Sequence, residues 1–160
     1  MRAQTQKGFG LVEIIIGAAI LATTLLAVSF FFQRAVVISR STGELVQASF
    51  LAEEGIEVLR FLRDEKWENL SSGITPGTNY YLSFSGSSWA TTTTNVFVDG
   101  VFERKFSIEN VNRDGNDDIT TSGGTLDPNI KLITVSVSWF DRGATTTHTV
   151  STYLTNIFGT

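Results

Sequence analysis

One carboxylate, Glu13, stands at the head of nineteen residues, Ile14 to Phe32, that carry no charge at all. A charge inside so apolar a run costs a few kcal/mol near a membrane centre, which marks Glu13 as a functional candidate. Immediately before it, Lys7-Gly8-Phe9 sets a small residue between a positive charge and an aromatic ring. An ordinary secretory signal is cut after its apolar run, behind small residues, whereas here the small residue precedes the run. A cut between Gly8 and Phe9 would remove the polar leader Met1–Gly8 and leave the apolar segment on the mature chain. It would also expose a new α-amino group on Phe9, one helical turn from Glu13. An α-amine with a reference pKa of about 7.7–8.0 is mostly protonated at neutral pH and is a natural counter-ion. The pair can form within one chain or between neighbouring chains offset along their length. The second arrangement gives a docking rule, because an unpaired carboxylate in an apolar bundle is penalised until a neighbour arrives in register. The plainer alternative is that Glu13 only favours a helix N-terminus through the helix dipole.

The other candidates are weaker. Asn112-Arg113-Asp114-Gly115-Asn116-Asp117-Asp118 offers oxygens at the alternate positions Asp114, Asn116 and Asp118. An EF-hand would continue with Gly and end on Glu at its twelfth position, but the chain has Ile119 and Thr125, so that match fails. A calcium loop of another kind, helped by Asp127, and an Asx-rich turn between strands both stay open. His148 is the only His and has no acid or nucleophile at suggestive spacing, so it is expected to be an exposed strand residue. With no Cys, disulfides and thiolate chemistry are excluded and a zinc site is nearly so. Ser122-Gly123-Gly124 and Gly86 read as turns, and Trp67, Trp89 and Trp139 read as buried apolar area. The Ser/Thr-rich stretches Ser85–Thr94 and Thr145–Thr147 read as exposed loop or strand edge, with O-glycosylation as an alternative. A net charge of −4 argues against a nucleic-acid partner. Nothing points to an enzyme, and no cofactor is expected beyond the calcium alternative.

These residues need elements to carry them. Nineteen uncharged helical residues span about 29 Å, one hydrocarbon core. Arg2 and Lys7 would hold the start of the chain on the cytoplasmic side, with the C-terminal bulk outside. From Gln33 the pattern becomes one-sided: Ala48, Leu51, Ala52, Gly55, Val58, Leu59 and Leu62 recur at three- and four-residue steps. Glu44, Glu53, Glu54, Glu57, Arg60, Asp64 and Glu65 fill the opposite face, with Arg60 one turn from both Glu57 and Asp64. The simplest reading is one helix from Phe9 to Leu70, with Gly43 its weak link and a site for a bend. Residues 9–32 form its membrane segment, 33–73 its amphipathic half, and 74–160 a β-domain. Strands are expected at Asn79–Phe84, Asn95–Val98, Val101–Val111, Lys131–Phe140 and Thr147–Leu154, the last two joined through the Asp141–Ala144 hairpin. Ile133, Val135, Val137 and Trp139 alternate with polar residues, as do Phe102, Phe106 and Ile108, interrupted by Arg104. Each strand therefore has one buried face, and the one-sided half of the helix must cover it. The fold class is α+β: a long N-terminal helix packed by its second half on an antiparallel sheet.

Lys7-Gly8-Phe9, with Glu13 fifth after the junction, resembles the class III signal of type IV pilins and type II secretion pseudopilins. The likeness is strongest over about the first twenty-five residues. It implies cleavage after Gly8 by prepilin peptidase, N-methylation of Phe9, and subunit docking through Glu13. The later order of helix, sheet and a Val135–Trp139 strand is similar to minor pilins and pseudopilins, some of which bind calcium. Gly10 stands where the family commonly has Thr. The segment up to Phe32 lacks the helix-bending Pro of many major pilins, and the family's C-terminal Cys pair is absent. Implied partners are other pilin subunits, the peptidase, an inner-membrane assembly platform and, before assembly, membrane lipid. Implied locations are the cytoplasmic membrane and then an extracellular or periplasmic filament. Gly17, Ala18, Ala19 and Ala22 suit close helix packing in such a bundle. Two other classes compete: a membrane-anchored surface domain that never polymerises and keeps Met1–Gly8, and a secreted protein cut near Ala27-Val28-Ser29.

Overall fold

The computed structural model describes residues 10–158. Helix α1 runs Leu11–Glu65, and the chain divides into two compact units after Gly43. The helical hydrogen-bond pattern passes through Gly43 without interruption, so the expected weak link does not break the helix.

In the first unit, α1 carries a stretch long and apolar enough to cross a membrane, with none of it buried by the chain itself. Its hydroxyls are satisfied locally. Thr23 Oγ1 donates to the Ile20 carbonyl at 2.9 Å, Thr24 to Leu21 at 2.9 Å, and Ser29 to Leu25 at 2.8 Å. A polar group that bonds its own helix asks nothing of a lipid surround, so these residues fit an apolar solvent.

The second unit is α+β, as expected. Its part of α1 buries Ala48, Ala52, Gly55, Ile56, Val58, Leu59 and Leu62. The small residues bring the helix close to the sheet: a Cβ on Gly55 would stand 2.9 Å from Val135 Cγ1. The helix ends at Glu65, five residues before the expected Leu70. Burial of Trp67 and Leu70 turns the chain there, and Asn69 Nδ2 donates to the Leu62 carbonyl at 3.0 Å. A four-residue helix α2, Glu68–Ser71, follows.

The strands are β1 Tyr80–Ser85, β2 Ser88–Thr92, β3 Phe97–Val98, β4 Phe102–Arg113, β5 Ile119–Thr120, β6 Thr125–Asp141 and β7 Ala144–Thr155. They form one antiparallel sheet, ordered β2-β1-β4-β6-β7, with β3 and β5 also on β4. Phe102, Phe106, Ile108, Ile133, Val135, Val137 and Trp139 are buried, as the alternation requires. The Ser/Thr-rich stretch is in part the edge strand β2, against Tyr81–Ser85. Strand β5 has no period-two signal, and β6 starts six residues before Lys131. Pro128 hides that start: it falls where the β4–β6 register shifts, Asn110 opposing Lys131 but Val111 opposing Asp127. In the β6–β7 hairpin Arg142 and Gly143 have φ of 50° and 89°, the primed-turn geometry that tight hairpins use.

Candidate functional site

The start of α1 is built by Gly10 and Glu13. The Glu13 and Ile14 amides donate to the Gly10 carbonyl at 3.0 and 3.3 Å, making Gly10 the N-cap. In return the Gly10 N–H donates to Glu13 Oε2 at 3.0 Å. This is the reciprocal half of a capping box, with the acid at N3 and Gly in place of the usual hydroxyl residue. In the single chain Glu13 therefore caps the helix start by a hydrogen bond. The same bond turns the carboxylate toward the start of the helix. Gly8 and Phe9, the expected cleavage and methylation positions, lie outside the described residues. Glu13 is exposed, with Ile14, Ile15 and Ile16 after it equally uncovered.

The acidic loop is organised around hydrogen bonds. Asp114 Oδ1 accepts from the Asn116 N–H at 2.8 Å and the Asp118 N–H at 3.1 Å. Arg113 Nε donates to Asp127 Oδ2 at 2.7 Å, and its Nη1 donates to the Asp117 carbonyl at 2.6 Å. The Arg113 bond, helped by the Asn129 N–H, holds the Asp127 carboxyl below its ordinary value, and the same partner raises the guanidinium. Among the described residues no group of three or more His, Cys, Asp or Glu side chains is placed to hold a metal ion. Asp127 faces a cation of the chain's own, which is the arrangement of an Asx turn braced by Arg113. His148 is half-buried on β7 opposite Val137, and the Tyr81 hydroxyl is raised by burial and by Glu103. Trp67 and Trp139 are buried, while Trp89 is only partly so, against Phe84 at 5.1 Å.

One pair was hidden from the periodicity. Arg104, which interrupts the apolar face of β4, is only 5% exposed and pairs through Nη1 with Glu54 Oε2 at 2.5 Å. Its guanidinium lies 5.6 Å from the centre of the Trp89 ring, in cation–π range. Glu54 therefore does more than solvate the outer helix face: it reaches over the helix edge to neutralise a cation under it. Two ion pairs expected at Arg60 resolve differently. Arg60 bonds Glu57 at 2.5 Å, whereas Asp64 is taken by Arg63 at 2.7 Å. The signal that could have found Arg104 is its parity, an arginine on the buried side of a strand with acids on the facing helix.

No family model matches this chain, and neither a curated protein nor a solved structure matches it.

Proposed function

We propose that this chain is a non-catalytic structural subunit of a type IV pilus or related filament, in the role of a minor pilin or pseudopilin. The observation that carries this reading is Glu13: one carboxylate at the head of a long apolar helix stretch, turned back onto the Gly10 N–H at the helix start. Prepilin peptidase cuts after Gly8 and Phe9 is N-methylated. The precursor crosses the cytoplasmic membrane once, with its sheet domain outside. In the filament the apolar helices bundle, and each Glu13 exchanges its own Gly10 N–H for the Phe9 amine of a neighbour. The apolar stretch and the residues that cover the sheet belong to one uninterrupted helix, Leu11–Glu65, which favours a stalk built for assembly over a simple tether.

The capping bond also favours a second reading, an anchored domain that does not polymerise, since Glu13 already has a partner within its own chain. The mature N-terminus separates the two. A chain that begins at methylated Phe9 supports the filament, and one that keeps Met1 supports the anchor.

A further inference from the structure

Strand β7 is an edge of the sheet. Its register with β6 runs from Ala144–Asp141 to Thr155–Ile130 without a bulge, and among the described residues β6 is its sole strand partner. Proteins usually guard so long an edge with lysines, prolines, bulges or a covering element, because unpaired backbone groups template further pairing. None of the twelve residues of β7 is a proline or carries Lys, Arg, Asp or Glu. At about 3.4 Å per residue the open edge is roughly 40 Å long.

The chemistry of the adjoining seam says what fits that edge. On the outer face, β6 and β7 are joined by three hydroxyl pairs: Thr134–Ser151 at 3.0 Å, Ser136–Thr149 at 3.1 Å and Ser138–Thr147 at 2.9 Å. Thr147, Thr149 and Ser151 remain exposed there, and each hydroxyl keeps acceptor capacity for another partner. The surface complementary to this uncharged Ser/Thr row is the same row, run the other way. A twofold axis through Thr149 sets Thr147 against Ser151 and Thr145 against Tyr153. On the inner face it sets His148 against Val150 and Thr146 against Thr152. Within the strand pair itself no like charges meet, and the seam repeats the hydroxyl ladder already present between β6 and β7; Glu53, Glu57 and Arg60 of α1 flank the inner side at Val150–Thr152.

We propose that β7 is a homotypic interface, at which two copies of this chain join edge to edge into one continuous antiparallel sheet. An isologous twofold contact of this kind closes on itself and does not propagate. The axis also reverses every strand, and with them the Glu44–Glu65 part of the helix. The contact therefore joins two copies whose sheet-packed helix segments, Glu44–Glu65, run in opposite directions.

The absence of Cys allows a direct test on the full chain in detergent micelles. With Thr149→Cys the two thiols face each other at the axis, where cross-strand Cβ atoms lie about 4.5–5.5 Å apart. In Thr147→Cys the like positions are four rows apart, beyond disulfide reach. Under mild oxidation T149C is expected to give at least tenfold more covalent dimer than T147C. Adding a charge opposite Ser151 through Thr147→Lys in the T149C background is expected to return the yield to the T147C level, with circular dichroism confirming an intact fold. Equal dimer yields from T149C and T147C, or a yield insensitive to the added lysine, would overturn the interface.

Discussion

Glu13 shows how one side chain can serve two partners. In the single chain it satisfies the Gly10 N–H, and in the proposed filament it would meet the Phe9 amine of a neighbouring chain. Glu13→Ala is expected to leave the sheet domain folded, as read by circular dichroism, while blocking incorporation into filaments; normal incorporation would remove the docking role. Glu13→Gln keeps an acceptor for the Gly10 N–H but loses the charge, so it is expected to restore the helix start and not assembly. Arg104 is the other informative residue, because removing one partner of a buried pair costs more than replacing the cation by an apolar side chain. Glu54→Ala should destabilise the fold by about 2 kcal/mol, below the usual cost since Glu54 is half-exposed. Arg104→Leu should be near neutral, and thermal unfolding of the two variants checks the order. Asp127 gives a pH dependence. Its folded pKa is depressed, chiefly by Arg113, so its contribution is present above the ordinary carboxylate value of about 3.9 and is lost as pH falls through the folded value. The Tm advantage of the native chain over Asp127→Asn should therefore shrink between neutral pH and about pH 2–3; a constant difference would contradict the assigned pair.

The elements differ in how openly the sequence displays them. Strands β4 and β6 and the packed half of α1 follow from alternation and from three- and four-residue spacing, since burial on one face imposes those periods. What the periods do not carry is where one element meets another. The stop of α1 at Glu65 depends on burying Trp67 and Leu70, a tertiary demand, and the early part of β6 is masked by Pro128 at a register shift. Strand β5 is two residues long and exists by pairing with Asn112 and Arg113. Among the candidate site residues, Glu13 stood out by its charge alone, whereas Glu54 and Arg104 each looked ordinary until helix and sheet were brought together. Gly55 marks the closest approach of those layers. Gly55→Ala would press a methyl group toward Val135, an overpacking cost of about 1–3 kcal/mol offset by about 1 kcal/mol of helix propensity. A net loss of up to about 2 kcal/mol is expected in denaturant melts, and a stabilised variant would mean the layers can part without strain.

Taken whole, the molecule joins a helix surface suited to lipid or to other helices to a sheet domain with its own core. The apolar residues of the first unit are exposed in the single chain, which calls for an apolar surround that the chain does not itself provide. Both a membrane and a helix bundle meet that need, and the proposed life of the protein passes from one to the other. In the proposed route the leader is removed first, which would leave an α-amine on Phe9 to pair with the Glu13 of a neighbour. Intact-mass and N-terminal peptide mass spectrometry of the protein taken from its filaments measures this directly. A chain that begins at Phe9 with one added methyl group is expected; a chain in those fibres still starting at Met1, or starting near Phe30, would contradict the proposed assembly.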